Sequence, residues 1–594
     1  MNTPSKEVQD KAVGFIQKTY SEYNTLLNFY RARWFEYFCA TYKFEVTDRN
    51  KDYNSKIFFP KCFEQVEKVA PRIYGNNPKF VVSLNVPINN LHPEADMTMN
   101  MEAVQKSLNY YWKIGQCQKK GRSWVKGGLV YGIMWAIVKF ERTTTTEENV
   151  EVYDDEEGEQ VERTTTVEKV LNEYPTFEVP DIFDVYFDPR VENEEDMSSI
   201  VIGKDDVRWS DLNNQKELYF NLDGVKDLPS QAYSSDGGNY KQNKFTTQGI
   251  PQSSVEGEHK LNIKRFYGYF SETDDPKDEE LVEMISVNDS VLIRYKKIKF
   301  KPWVKWNPIE IFNQAVGTGL VEPIEKLQKA YNLTRNQRSE NVSLVLNRMW
   351  LMKVGAGVDP RKLVSRAGNI IPTKDMDALQ PIQTPDVTQS AFTEANSINT
   401  EIQQTLGTID TTQDQSNNGF TNLATGQKIR WNEFNVRYKA IKQNFEEALA
   451  RIGEKMLLMV GVEANQNPLV ADEKNSKFWE ISKTAFDQVS DFYNISVLPD
   501  STANDSIENK REEVLAFGQL ALAYKAQGVP IKMQKIWEDI ANSFPGRNPE
   551  DYLEPMQPQL GQPQQGGPIS QKTVDQAQVQ PSADTQLSND LANV

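Results

Sequence analysis

Apolar positions recur at helical spacing through much of the chain. From Val8 to Phe38 the stripe runs through Ile16, Tyr20, Leu27, Tyr30, Trp34 and Phe38, which predicts one long helix. A second helix is expected from Pro60 to about Tyr74, burying Phe63, Val66, Val69 and Ile73. Pro60 suits its first turn, and Pro71 should kink its end. A third should run from about Glu94 past Trp112 to a break near Gly115. In "GGLVYGIMWAIVKFER" the glycines are expected to end a helix and a buried strand to follow.

The pattern then shortens to strand spacing. Residues 147–162 carry nine acids and no Lys or Arg, between the β-formers "RTTTT" and "RTTTVEKV". They read as the tip of a long hairpin, either a solvated loop or a calcium site, although the spacing is not that of an EF-hand loop. "FEVPDIFDVYFDPRVE" reads as a strand closed by an Asp-Pro turn. Residues 205–260 read as loops with short helices, and 260–312 return to strand. Within the last of these, Lys297, Lys299 and Lys301 alternate with Ile298 and Phe300, placing three cations on one strand face. That face is a solvated surface, a partner for an acidic neighbour, or a contact for a phosphate backbone.

Long helices return after Pro323. One is expected to about Lys353, roughly 46 Å long at 1.5 Å per residue. Its ends are apolar (Ile324, Leu327 and Tyr331; Val342, Val345, Met349 and Met352), but its waist, "NLTRNQRSEN", is polar. Such a helix is expected to bridge two layers or to pack beside copies of itself. Residues 354–383 form a small Gly-punctuated unit with short strands near Ile370 and Leu379. Thr384-Pro385-Asp386 should open a helix that carries Ala391, Phe392, Ala395, Ile398, Ile402 and Leu406 on one face and stops at Gly407. Residues 408–424, "TIDTTQDQSNNGFTNLA", have no periodicity and are long for a connection. From about Thr425 to Val460, Trp431, Phe434, Tyr438, Ile441, Phe445, Leu449, Ile452 and Met456 keep helical steps. A strand pair, "KFWEISKTAF" and "DFYNISVLPD", should follow. Helices from Ile507 to Gln527 and from Pro530 to Phe544 come next, then a tail, 555–594, with ten Gln and no aromatic that cannot bury a core.

Composition narrows the chemistry. The 594 residues are 38% apolar, enough for several cores, and the formal net charge is -17, which disfavours tight binding of nucleic acid by charge alone. Cys39, Cys62 and Cys117 form no CxxC pair, so neither a disulfide framework nor a Cys-rich zinc site is expected. His92 and His259 sit in polar stretches and read as surface loop residues rather than catalytic ones. The N-terminus lacks an apolar signal region. The longest apolar run, Leu129 to Phe140, is too short to span a bilayer, so no membrane association is expected. Walker A, dinucleotide and HExxH motifs are absent from the sequence.

The order of these elements resembles the bacteriophage portal protein, or head–tail connector. The matching pieces are "VPDIFDVYFDP", "PIEKLQKAYNLTRNQRSENVSLVLN", "AGNIIPTKDMDALQPIQTPD", "EIQQTLGTID" and "TNLATGQKIRWNEF", within about residues 60–540. The resemblance implies an α+β, predominantly helical fold. It would have a wing (1–316), a stem (317–353 and 384–407), a clip (354–383) and a tunnel loop (408–424). The long helix with returning wing strands would be 425–505, and a crown 506–554. It implies a ring, usually twelve-fold, that conducts double-stranded DNA, without catalytic residues, metal or cofactor. The implied partners are further copies of the chain, the packaging ATPase (the terminase large subunit), the head–tail adaptor and the major capsid or scaffold protein. The expected location is the portal vertex of the virion, with assembly in the host cytoplasm.

On that resemblance, Asp359, Arg361, Lys362, Arg366 and Lys374 in the clip are expected to meet partners. Asp410, Thr411, Asp414, Gln415, Asn417, Asn418, Gly419 and Phe420 are expected to line the channel, with Phe420 either anchoring the loop or wedging against the duplex. Two other readings stay open at this stage. One is another virion structural or scaffold-type helical protein; the other is a metal-dependent nuclease, for which no local acidic cluster nominates a site.

Overall fold

The computed structural model describes residues 3–45, 55–84, 97–154, 160–214, 216–230, 238–250, 260–273, 275–347, 349–355, 379–382, 385–407, 424–464, 469–472, 477–480, 493–499, 501–502 and 507–527, with 377, 533, 536, 537 and 540. It divides into two compact units, Met1–Asn504 and Asp505–Val594. Helix predominates over strand, and the class is α+β.

The first unit is built on α1 (Lys6–Tyr42), α2 (Lys61–Ile73), β1 (Phe80–Leu84), α3 (Met97–Ile114) and α4 (Cys117–Tyr131). The apolar stripe of α1 faces two cores in turn. Its first half, Ala12 to Tyr23, covers one face of a five-stranded antiparallel sheet. Its second half, from Leu27 to Ala40, enters the large central core. The sheet has the order β4 (Val185–Tyr186), β5 (Ser199–Arg208), β6 (Lys260–Ser271), β7 (Glu279–Val287) and β8 (Val291–Lys297). Its other face is covered by α5 (Trp209–Asn213) and α6 (Leu222–Lys226), through Leu212 and Val225. Cover on both sides explains why β6 is buried along nearly its whole length, with Asn262 and Lys264 among its buried residues. A further helix, α7 (Gly238–Thr247), packs against α1.

β2 (Met134–Asp154) and β3 (Gln160–Glu178) form the long hairpin, paired from Ile137↔Glu178 to Asp154↔Gln160 with one register shift between Thr143 and Thr144, and β9 (Trp303–Trp306) adds to the base of β2. The acidic tip, 155–159, lies outside the described residues. "FEVPDIFDVYFDP" is not one strand. β3 ends at Glu178, a 3-10 turn spans Ile182–Asp184 with Asp181 as its cap, and β4 follows.

Of the glycines expected to end a helix before a buried strand, Gly132 does so and Gly127 and Gly128 do not. Both lie inside α4, which ends at Gly132 with φ +82°. A Cβ on Gly128 would stand 2.3 Å from the Trp306 ring, so the glycine makes room for an indole. That contact comes from a residue far along the chain, which local punctuation cannot foresee. The expected pairing of "KFWEISKTAF" with "DFYNISVLPD" is also replaced. β12 (Leu469–Asp472) pairs with β13 (Lys477–Glu480), while β14 (Tyr493–Val497) returns to β1.

α8 (Glu325–Leu346) is shorter than its expected span. It stops at Asn347, and β10 (Trp350–Met352) begins where the helix was expected to continue. β10 pairs with β11 (Leu379–Pro381), α9 (Thr388–Leu406) follows, and Gly407 caps it in the left-handed conformation. α10 (Ala424–Glu463) has 40 residues, about 60 Å at 1.5 Å per residue. Its stripe from Tyr438 to Val460 is buried as the periodicity requires. Phe445 seals it, with ring centroids 4.9 Å from Trp306, 5.2 Å from Trp124 and 5.4 Å from Tyr74. The second unit contains the helix Ile507–Ala526. Most of the helix expected from Pro530, and the tail, lie outside the described residues.

Candidate functional site

α8 and α9 form an antiparallel hairpin with the β10–β11 ribbon at its far end. Asn341, near the end of α8, donates to the Pro385 carbonyl at 3.2 Å and accepts from the Val387 amide, just before α9 begins. Ile382 N–H donates to the Met349 carbonyl at 2.9 Å and continues the ribbon. Among the described residues, only the near ends of the two helices are anchored to the rest of the unit. In α9 the buried side chains are Ala395, Ile398, Ile402 and Leu406, and Tyr438 Oη donates to the Leu406 carbonyl at 3.0 Å, tying the hairpin to α10.

The anchoring of α8 is polar, and here the expectation for its waist is corrected. Its buried residues are Glu325, Gln328, Asn332 and Asn336, three of them amides one turn apart. Asn336 accepts from the Ile57 amide and donates to the Ile57 carbonyl, both at 2.8 Å. Asn332 accepts from the Phe59 amide at 2.8 Å, and Gln328 accepts from the Cys62 amide at 2.7 Å and donates to the Ala40 carbonyl. One helical turn of four residues rises about 6 Å, and two residues of extended chain rise about 6.6 Å. Asn336 and Asn332, four residues apart, therefore match Ile57 and Phe59, alternate residues of 55–60, while Gln328 reaches Cys62 in the first turn of α2. The Asn332 and Asn336 side of the polar waist is satisfied inside one chain.

Beyond Asn336 no side chain of α8 is buried. The far end instead presents apolar residues to solvent: Leu346 is 70% exposed, Leu351 58%, Phe392 51% and Trp350 43%, with Val342 and Met349 beside them. Exposed apolar residues concentrated at one end of a hairpin make that end a candidate contact surface.

The predicted site residues are distributed as follows. Asp359, Arg361, Lys362, Arg366 and Lys374 lie outside the described residues, as do Asp410, Thr411, Asp414, Gln415, Asn417, Asn418, Gly419 and Phe420. The first group falls between the two strands of the ribbon, and the second between α9 and α10. Lys297, Lys299 and Lys301 do not share a strand face, because β8 ends at Lys297 and residues 298–302 are not strand. Lys297 pairs with Glu280. Lys301 turns onto the chain, donating to the carbonyls of Glu195 and Met197, the latter at 2.9 Å, with its ammonium 5.4 Å from the Tyr269 ring. Lys299 is engaged within the chain as well.

Lys301 belongs to a group of cations that fixes the acidic turn 192–197. Lys455 of α10 reaches the Glu195 carboxylate at 3.0 Å and the Trp303 carbonyl at 2.9 Å. Arg451 stands 3.0 Å from Glu194, whose carboxyl is buried and held above the usual range by that burial. Sequence spacing could not assemble this cluster, since its members come from three distant segments.

The three cysteines are free. Both histidines lie outside the described residues. Among the described residues no helix is long and apolar enough to cross a membrane, and no group of three or more His, Cys, Asp or Glu could hold a metal ion.

No curated protein matches the chain. Residues 134–587, about three-quarters of it, match the family described as Phage SU10 portal protein. That stretch includes the long hairpin, the α8–α9 hairpin with its ribbon, and α10. The chain belongs to this family of bacteriophage portal proteins, which are structural components of the virion.

Proposed function

We propose that this chain is a portal subunit whose copies close into a ring at one capsid vertex. The ring is the conduit for double-stranded DNA during packaging and ejection, and the platform for the packaging ATPase and then the head–tail adaptor. The observation that carries this reading is the α8–α9 hairpin, anchored at one end and apolar at the other, inside a chain of the portal family. Apolar side chains left uncovered by their own chain are covered by copies of it when the interface is heterologous and the rotation closes.

Partner contacts are assigned to the clip, 354–383, through Asp359, Arg361, Lys362, Arg366 and Lys374. Channel contacts are assigned to 408–424. There the amides and hydroxyls of Thr411, Gln415, Asn417 and Asn418 form weak, exchangeable bonds with phosphate or water. Asp410 and Asp414 repel phosphate and limit sticking, Gly419 frees the turn, and Phe420 anchors the loop. A phosphate contact by Lys297 or Lys301 would first have to break the bonds these residues make within the chain, so DNA is given to the loop. Deleting residues 413–418 tests this. Particles should assemble normally but package or retain less DNA; particles that fill and hold genomes like the parent would remove the loop from the account.

A further inference from the structure

A cleft of about 1130 Å³ lies between α1, α7 and α8. Phe35 and Cys39 line it from α1, Asn243 and Thr246 from α7, and Gln328 and Asn332 from α8. Its α8 side is the amide ladder that fixes this helix to 55–60. The α7 side is held differently from every other wall.

None of the described side chains of α7 is fully buried. Its aromatic contact is Tyr240 against Phe35, with ring centroids 6.0 Å apart. A helix of ten residues has little stability of its own. The hold comes from two lysines, one turn apart. Lys241 Nζ donates to both Asp184 oxygens at 2.8 Å and stands 3.4 Å from Asp205. Lys244 pairs with Asp181, and its ammonium lies 5.2 Å from the Phe38 ring and 5.8 Å from the Phe183 ring. The Lys241, Asp184 and Asp205 side chains are only 14%, 18% and 14% exposed, so solvent screens them weakly.

The acceptors are delivered by deliberate local geometry. Asp181 caps the 3-10 turn that ends in Asp184. Asp205 sits where the register of β5 against β6 shifts between Lys204 and Val207, beside Asp206 at φ 58°. A bulge of this kind re-aims a side chain. Lys264 lines the same small space but is committed to Asp289 at 2.7 Å, so Lys241 is the cation that separates Asp184 from Asp205.

We propose that α7 is a latched wall, held over the cleft by Lys241 and Lys244, which swings away when the Lys241 contact is lost while the rest of the unit stays folded. Without Lys241, α7 loses both of its bonds to Asp184 and its contact with Asp205, and only the Lys244 pair and the Tyr240 ring contact are left to hold it. Opening exposes the ladder that carries α8. The latch thereby controls access to the joint between the sheet-bearing part of the unit and the α8–α9 hairpin.

The chain contains its own reporters. Cys39 is half-buried and lines the cleft, whereas Cys62 and Cys117 are buried, with thiols pushed up to about 12 and about 11 by that burial. In the full-length chain, Lys241→Met should speed amide hydrogen exchange in 238–247 about tenfold and raise maleimide labelling of Cys39 several-fold. Cys62 and Cys117 should stay unlabelled. Lys244→Met should act in the same direction. Unchanged exchange in α7 would overturn the latch. So would a uniform rise in exchange with all three cysteines reacting, because the contact would then be holding the whole unit.

Discussion

Asn336 is 1% exposed, yet it sits in the middle of a helix and is polar. It persists there because its amide meets the N–H and the C=O of Ile57 together, as a neighbouring strand would. Asn336→Leu leaves two backbone groups without partners, at a cost of about 1–3 kcal/mol for each that stays dry. The variant should lower the urea midpoint of the first unit; an unchanged midpoint would mean that water replaces the amide freely. Asp184 poses a different question. Burial pushes its carboxyl up to about 6, with Lys241 opposing that rise. Its folded value exceeds the ordinary one, so its contribution to stability is complete below the ordinary carboxylate range and is lost as pH rises through about 6. Asp184→Asn should therefore match or exceed the parent in urea at pH 7, with the difference shrinking towards pH 5. A deficit that grows from pH 5 to pH 7 would show that the charged form is the one stabilised.

Among the elements, those with local causes were legible in the sequence. The stripes of α1 and α10, the stop at Gly407 and the long β2–β3 hairpin follow from periodicity, a glycine in the left-handed region and β-forming flanks. What escaped was set by distant partners. Gly128 reads as a helix breaker until Trp306 is placed on it, and the waist of α8 reads as a bridge between layers or a contact for another copy until 55–60 is laid along it. The lysine trio reads as one strand face until Lys301 turns onto 195–197. The candidate site was legible as an order of elements, while the apolar end of its hairpin became evident only when burial showed where the anchoring stops. α4 gives a direct test of the distant cause. Gly128→Ala would drive a Cβ into the Trp306 ring and should cost about 1–3 kcal/mol through overpacking, read as a lower thermal midpoint. A stabilised variant would mean that helix propensity, not the indole, decides that position.

At the scale of the whole molecule, one chain does not complete its own surface. The large core closes around Phe445 and its indole neighbours, and the five-stranded sheet is covered on both faces, but the end of the α8–α9 hairpin is left apolar and open. The family supplies the reason, since portal subunits work as rings. Single-particle electron microscopy of the purified full-length chain tests this most directly. The account predicts closed rings with a central channel, twelve-fold in the commonest case, and the α8–α9 hairpins packed side by side around it. Particles of a single chain at every concentration and salt level, or rings in which Trp350 and Leu351 remain exposed, would contradict it.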